Sequence, residues 1–453
     1  MIKSNIILII LDTLRGDRLL QNFRDKDLTP NIRNLLKKAI YFENCIANSP
    51  WTFPSHINMF TGLYSTQYNL IKNKHKKIQN LTEILKENGY DTLCFTENPL
   101  ISEINEFSRG FETLYRSWKA FVPWIDKTDR IAKIIKSLSF LDAFLRKWIK
   151  SNYLLRTWGH LKFRIEKLFY FIIKKLFWKI IISKFKNNTL NNLVKFKQIL
   201  KEKGKGKPLY IYFNIMATHY PFLPTRDILK YFAITFEDFK LVKKFMLDPQ
   251  KFRRNVNIRA KKISTNKIKI IKALYNASVY FSDLITKEII LLLKNLDLEQ
   301  NSYIIITSDH GEHLCDKSDH YFWEHHTYLS IYEPLIRVPL IIYNTNYQYN
   351  LIKNQVQLKD IFHTILHLTG IPKDKNKHLI LENSMIYQIN TNLTPTLIFG
   401  EYLKPREELY NLLRFNRRII NKELIPRITH KIFFLRSNKY KFITYNDKIF
   451  YNL

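Results

Sequence analysis

Three short stretches hold most of the residues that could make or break bonds in this chain. The first is SPWTFPSHINMFTG at 49–62, where the hydroxyls of Thr52 and Ser55 bracket Phe53-Pro54 and His56 follows. The second is DTLRGD, which supplies Asp12 and Arg15, and the third is SDHGE, which supplies Asp309 and His310. A hydroxyl is a poor nucleophile until it loses its proton, and a cation on its oxygen makes that loss easier. Asp309 and His310, adjacent on a turn that Gly311 permits, can converge on such a cation, and Asp12 offers a second carboxylate. Carboxylates suit hard divalent ions, whereas an imidazole ligand admits zinc or manganese. A threonine ahead of a helix is commonly only an N-cap, and SDHG alone is commonly only a turn. The combination points to a metal-assisted nucleophile, and helix-start amides would stabilise an anion placed there.

The elements that must position these residues follow from hydrophobic pattern. NIILIILD is a continuous apolar run ending in a carboxylate, as expected for a central parallel strand buried on both faces. PLYIYFNIM (208–216) runs toward Thr218 and His219, and SYIIIT (302–307) runs into Asp309. RVPLIIY (337–343) reads as a further strand. TPNIRNLLKKAI, LTEILKENG, residues 275–296 and QLKDIFHTILHLTG have helical spacing. Strands alternating with helices predict an α/β fold with a mostly parallel sheet. Asp12, His219 and Asp309-His310 then stand at or just after carboxyl ends of strands, where open α/β sheets bind ligands. The tail has weaker patterning and ends in short antiparallel strands around Asn446-Asp447.

Composition bounds the partners. With 73 Lys and Arg against 39 Asp and Glu, the formal charge is +34, which favours anionic partners. Residues 144–186 concentrate the excess, with twelve basic residues and Glu166 as the one acid. Five of the seven tryptophans lie between Trp118 and Trp178. LFYFIIKKLFWKIIISKF (168–185) is too interrupted by lysine to span a bilayer, but fits an interfacial helix at an anionic lipid surface. A core-packed helix with a solvated lysine face is the plainer reading. Nucleic acid is not expected, because no groove-reading motif accompanies the basic residues. Cys45, Cys94 and Cys315 are too few and too scattered for a disulfide framework, which suits a reducing compartment. The apolar run at the start is too short for a signal peptide, and no small-residue cleavage site follows. A cytoplasmic protein, with possible peripheral contact at the inner membrane face, is the resulting expectation.

The stretches NIILIILDTLRGDRL, TPNIRNLLKKAIYFENCIANSPWTFPSHINMFTGLYS, NIMATHYPF and SDHGEHLCDKSDHYFWEHHTYLSIYEPLIRVPLII occur in an order that resembles the sulfatase family of the alkaline phosphatase superfamily. The resemblance implies a central, mostly parallel sheet sandwiched by helices, with a small C-terminal α+β part. It divides the chain into a catalytic unit at 1–345, carrying a basic aromatic helical insertion at 116–205, and a C-terminal part at 346–453. In the family segment C/S-x-P-S-R-x-x-x-x-T-G, Thr52 falls at the nucleophile and His56 at the arginine. Sulfatases proper oxidise a Cys or Ser there to formylglycine, an aldehyde that threonine cannot give. Threonine nucleophiles occur in relatives acting on phosphate esters, including phosphoglycerol and phosphoethanolamine transferases. The resemblance therefore implies a hydrolase or transferase of phosphate-type esters.

It further implies one divalent metal ion (Mn, Mg, Zn or Ca), held by Asp12, Thr52, Asp309 and His310. Thr13 stands where sulfatases often have a second Asp, which counts against calcium. His219 would contact the substrate anion, Arg15 and His56 would add positive or donor groups, and His326 or His325 would protonate the leaving oxygen. A second metal site is not expected, because Asp283 is followed four residues later by Lys287, and Asp283 reads as structural. The substrate would be a small-molecule, lipid-head-group or glycan ester. A sulfuric ester hydrolase is the alternative, and a non-catalytic protein binding anionic membrane or glycan is the second. For the basic insertion, co-sedimentation with anionic vesicles is expected, and to be lost when the charges of 144–186 are neutralised; unchanged binding would exclude a lipid role for that segment.

Overall fold

Strand β1 (Asn5–Leu11) is buried along its whole length. Its side chains alternate between two cores: Ile7, Ile9 and Leu11 face one, and Ile6, Leu8 and Ile10 face the other. That is the period-two geometry of a strand covered on both sides. The computed structural model describes residues 3–101, 106–117, 190–203, 206–247, 264–316, 330–371, 382–403, 431–445 and 448–451. Within them β2 (Asn22–Phe23) and β3 (Lys26–Asp27) form a small hairpin. The remaining main-sheet strands are β4 (Ala39–Ile46), β5 (Asp91–Thr96), β6 (Thr113–Arg116), β7 (Leu209–Ile215), β8 (Ser302–Thr307), β9 (Arg337–Tyr343) and β10 (Asn350–Gln357). They join β1 in the order β10-β4-β9-β8-β1-β7-β5-β6. Only β9 runs against its neighbours, so the sheet is mostly parallel, as the sequence implies.

Helices cover both faces. On one face the helix Thr265–Asn295 buries Ile271, Leu274, Ile285 and Ile289 against the sheet. On the other lie the helices Thr52–Thr61, Leu81–Glu87 and Ile361–Leu368. The helix expected over 29–40 is shorter: it spans Pro30–Leu35, and Ala39 and Ile40 already belong to β4. The β-branched and aromatic run that continues to Ile46 pairs with β9 and β10, and that pairing overrides the weak helical spacing. The sheet does not stop at residue 345, because β10 adds in parallel to β4.

The antiparallel strands begin later, with β11 (Ile398–Tyr402), β12 (Ile432–Arg436), β13 (Lys441–Tyr445) and β14 (Lys448–Tyr451) in that spatial order. They pack a third core against Ile46, Ile331, Leu335 and Ile336. Of the insertion, 190–203 are helical, whereas 118–189, including 144–186, lie outside the described residues. Among the described residues no helix is long and apolar enough to cross a membrane.

Asp283 has the structural role expected of it. Its carboxylate accepts from the Asn31 and Ile32 backbone N–H groups at 3.1 and 2.8 Å, binding the start of the Pro30–Leu35 helix to the long helix. A second polar tie fastens the small sheet: Glu333 pairs with Arg436 at 3.1 Å and Lys441 at 3.0 Å. Burial opposes the Glu333 charge, but the two cations outweigh it and hold the carboxyl near 2. A carboxyl depressed in the folded state adds stability above its unfolded pKa of about 4.3 and loses it as pH falls toward 2. Because Glu333 is partly exposed, the contribution is discounted to about 1 kcal/mol. Thermal melts of Glu333→Gln should therefore fall below wild type at pH 7 and converge with it near pH 2; parallel curves across that range would rule the contribution out.

Candidate metal centre and nucleophile

Each strand end contributes one piece of the site. Asp12 follows β1, Asn214 lies within β7, Thr218 follows β7, and Ser308, Asp309 and His310 follow β8. Asp12, Asp309 and His310 are fully buried, and one ligand atom from each lies within 4.8 Å of the others. Thr52 completes the group, with its Oγ1 3.3 Å from His310 Nε2. It is the first residue of its helix rather than the cap; Trp51 occupies the cap position and gives no side-chain bond. The Thr52 hydroxyl is therefore not used up in capping, and it is almost wholly buried.

Neutral donors fix the orientation of the ligands. Asp12 Oδ2 accepts from Asn98 Nδ2 at 2.7 Å and Asn214 Nδ2 at 3.2 Å. Asp309 Oδ1 accepts from the backbone of Thr13 and His310 at 3.3 and 3.0 Å. The other oxygens, Asp12 Oδ1 and Asp309 Oδ2, are buried without a hydrogen bond. Buried charged oxygens without a donor are costly unless a cation takes the vacant lone pairs. His310 Nδ1 lies 2.8 Å from the Gly311 carbonyl, so that nitrogen carries the proton and Nε2 offers its lone pair. Gly311 is required here, since a Cβ would sit 1.8 Å from the Pro334 carbonyl oxygen.

The electrostatics agree with the geometry. Burial, and then the neighbouring Asp309 charge, raise Asp12 above the usual carboxylate range. Burial pushes Asp309 up to about 6 against the Thr13 amide that opposes it. Burial lowers His310 to about 4, which keeps it neutral and ligand-ready. Two carboxylates that resist sharing a dry space, beside a neutral imidazole, form a donor set of two hard oxygens and one nitrogen. That set fits a divalent cation, with Thr52 Oγ1 as a further oxygen donor.

Thr13, where sulfatases often carry a second acid, turns its hydroxyl away to the Thr218 carbonyl at 2.6 Å. Thr218 returns a bond to the Asp12 carbonyl at 2.6 Å, and Tyr275 donates to the Thr13 carbonyl at 2.8 Å. Thr13 has a φ of 64°, an uncommon setting for a β-branched residue, and this clasp holds it. Ser55, the other hydroxyl of the opening motif, donates to the Asp309 carbonyl at 2.6 Å and braces the loop.

The remaining expected residues divide. His219 is half-buried and near enough to interact electrostatically with Asp12, Asp309 and His310, which puts it beside the centre. Its Nδ1 lies 2.7 Å from the Tyr220 carbonyl. Arg15 is buried in a fork to Asp17 at 2.7 and 2.8 Å, and it reaches Asp316 at 3.0 Å. Its guanidinium serves that ion-pair network. His56 lies on the Thr52–Thr61 helix itself, one turn after Thr52, with its ring buried, as developed below. His325 and His326 lie outside the described residues. Asn98, Asn214 and Thr218 belong to the site but carry no sequence signal beyond standing at strand ends.

A model described as sulfatase matches residues 4–371, and the chain belongs to that family. Arylsulfatase K of Canis lupus familiaris is 30% identical over 193 residues, covering 41% of this chain and 31% of that protein. Arylsulfatase K of Mus musculus is 23% identical over 393 residues, covering 82% of this chain and 62% of that protein. The matched stretches thus span about a third of the former relative and under two thirds of the latter. Among solved structures, a phosphonate monoester hydrolase from Silicibacter pomeroyi superposes with a TM-score of 0.63 at 15% identity, covering 99% of this chain and 88% of that one. That likeness supports the fold, a mixed α/β sheet flanked by helices with a small antiparallel sheet at the end.

If Asp12, Asp309 and His310 hold a cation, manganese or zinc at a hundredfold excess over its dissociation constant should stabilise the protein by about 2.7 kcal/mol. Asp309→Asn should abolish that gain. Protonation of Asp309 competes with the cation, so affinity measured by calorimetry should weaken as pH drops below about 6. A pH-independent affinity would place the cation elsewhere.

Proposed function

We propose that this chain is a metal-dependent ester hydrolase of the sulfatase family that uses the Thr52 hydroxyl as its nucleophile on phosphate-type esters. The observation carrying the reading is the position of Thr52 Oγ1, buried at the start of a helix and 3.3 Å from His310 Nε2. A divalent cation, when bound among Asp12, Asp309 and His310, supplies Lewis acidity that favours loss of the hydroxyl proton and offsets anionic charge. The residues of the chain do the rest. Thr52 attacks the phosphorus in line with the leaving oxygen. The helix-start amides and His219 stabilise the equatorial oxygens of the transferred group. His326 or His325 is the proposed acid for the leaving oxygen. Water then releases the group from Thr52, or an acceptor hydroxyl does, which would make the enzyme a phosphotransferase.

A second reading, sulfuric ester hydrolysis, is favoured by relatives that bear the name arylsulfatase. Against it stands the residue type: a threonine at position 52 cannot yield the aldehyde that sulfatases proper use. A small-molecule, lipid-head-group or glycan ester is the proposed substrate class. Paired chromogenic phosphate monoester, phosphodiester, phosphonate and sulfate esters, each tested with manganese, zinc, magnesium and calcium, separate the readings. Phosphate-type esters should be cleaved, chelator should stop the reaction, Thr52→Ala should lower kcat by at least about 10³-fold, and Thr52→Ser should retain part of it. Cleavage of the sulfate ester alone would establish the second reading, and full activity in Thr52→Ala would defeat the nucleophile assignment under either.

A further inference from the structure

His56 is an expected catalytic group whose surroundings do not let it reach substrate. It is fully buried, among Phe60, Phe107 and Tyr212 at ring-centroid distances of 6.1, 5.8 and 6.0 Å. Both ring nitrogens have partners. Nδ1 lies 2.8 Å from the carbonyl oxygen of Thr52, and Nε2 lies 2.7 Å from the hydroxyl of Tyr212. A carbonyl only accepts, so Nδ1 carries the hydrogen. In the neutral ring Nε2 is then the acceptor, and the Tyr212 hydroxyl donates to it. Tyr212 belongs to β7, a strand paired to β1. A line of hydrogen bonds thus runs from the middle of the sheet, through the imidazole, to the backbone of the nucleophile.

We infer that His56 is a positioning residue, a neutral strut that transmits the fixed position of Tyr212 on the sheet to the Thr52 backbone and so sets where the Thr52 hydroxyl points. The inference rests on the assignment of Thr52 as nucleophile. Three observations point to the backbone of Thr52 as the place where such a strut is needed. Trp51, at the cap position, gives the helix no side-chain cap, so the first turn is held through its backbone, where Ser55 N–H donates to the Trp51 carbonyl at 3.2 Å. The Thr52 hydroxyl itself faces His310 and Asp309, groups of the centre it must serve. Phe53 and Pro54, which follow, add no side-chain donor. The strut also accounts for the residue type. A neutral ring can be buried among aromatic rings at little cost, whereas a guanidinium at the same place would need a charged partner. Asp309 Oδ2 stands 3.9 Å from His56 Nδ1, beyond hydrogen-bond distance.

The test has two readouts. In nitrogen-labelled protein, long-range proton–nitrogen spectra should show His56, assigned by its disappearance in His56→Asn, as the Nδ1–H tautomer. Its Nε2 resonance should shift in Tyr212→Phe, a variant that removes only the hydroxyl. In kinetics on an ester the wild type cleaves, Tyr212→Phe and His56→Asn should each lower kcat by about 10- to 100-fold, the scale of a small misplacement of a reacting group. KM and manganese affinity should stay within about twofold. Their effects should not multiply in the double variant, since both break one chain of bonds. An Nε2–H or doubly protonated His56 at neutral pH would overturn the inference. So would kcat within twofold of wild type in both variants while Thr52→Ala is inactive. Retained activity in Thr52→Ala would instead defeat the nucleophile assignment, and the tautomer spectra would still decide the strut.

Discussion

Two carboxylates that repel one another, Asp12 and Asp309, are held in the same dry space with an oxygen each left unbonded. Such a pair is unfavourable without a cation, and much of the surrounding architecture keeps it in place. The cost is met by the fold: β1 and β8 are paired neighbours buried among apolar side chains, so their ends cannot move apart. The clasp of Thr13, Thr218 and Tyr275 locks the loop after β1, and the bond from Ser55 locks the loop after β8. The site is therefore pre-formed, with side chains whose orientation is set before anything binds.

Thr52, the proposed nucleophile, is held from the opposite side. Its helix lies on one face of the sheet, packed against the helix Ile361–Leu368 and capped by Gly62 at a φ of 69°. A Cβ at Gly62 would stand 2.8 Å from His363 Nε2 and force that ring aside, and the left-handed φ disfavours any side chain there. Both ends of the helix are thus fixed by packing, and the line from Tyr212 through His56 reaches its first residue. A hydroxyl presented this way is aimed by the sheet, not by a mobile loop.

Much of this was legible in the sequence. A run as apolar as NIILIIL has no other comfortable place than the middle of a parallel sheet, and the acid that ends it must then lie at the ligand-binding edge. The same logic located Asp309, His310 and His219, and the ordered motifs selected Thr52 among the hydroxyls. What stayed hidden were groups whose contribution depends on a partner distant in the chain. Asn98 and Asn214 look like ordinary strand-end amides until they meet Asp12. Arg15 and His56 are chemically suited to an anion, yet Asp17, Asp316 and Tyr212 claim them first. Strands β4 and β10 were missed because their burial comes from neighbours in the sheet and leaves little periodicity in the chain.

The central claim is that Thr52 itself takes up the group cleaved from the ester. Acid-quenching the enzyme during turnover of a chromogenic phosphate ester, digesting it and locating the modification by mass spectrometry tests that directly. The account predicts a phosphoryl group on the Thr52 side chain in the peptide that spans Trp51 to Gly62. Turnover with that peptide unmodified, or with the group on another residue, would contradict it.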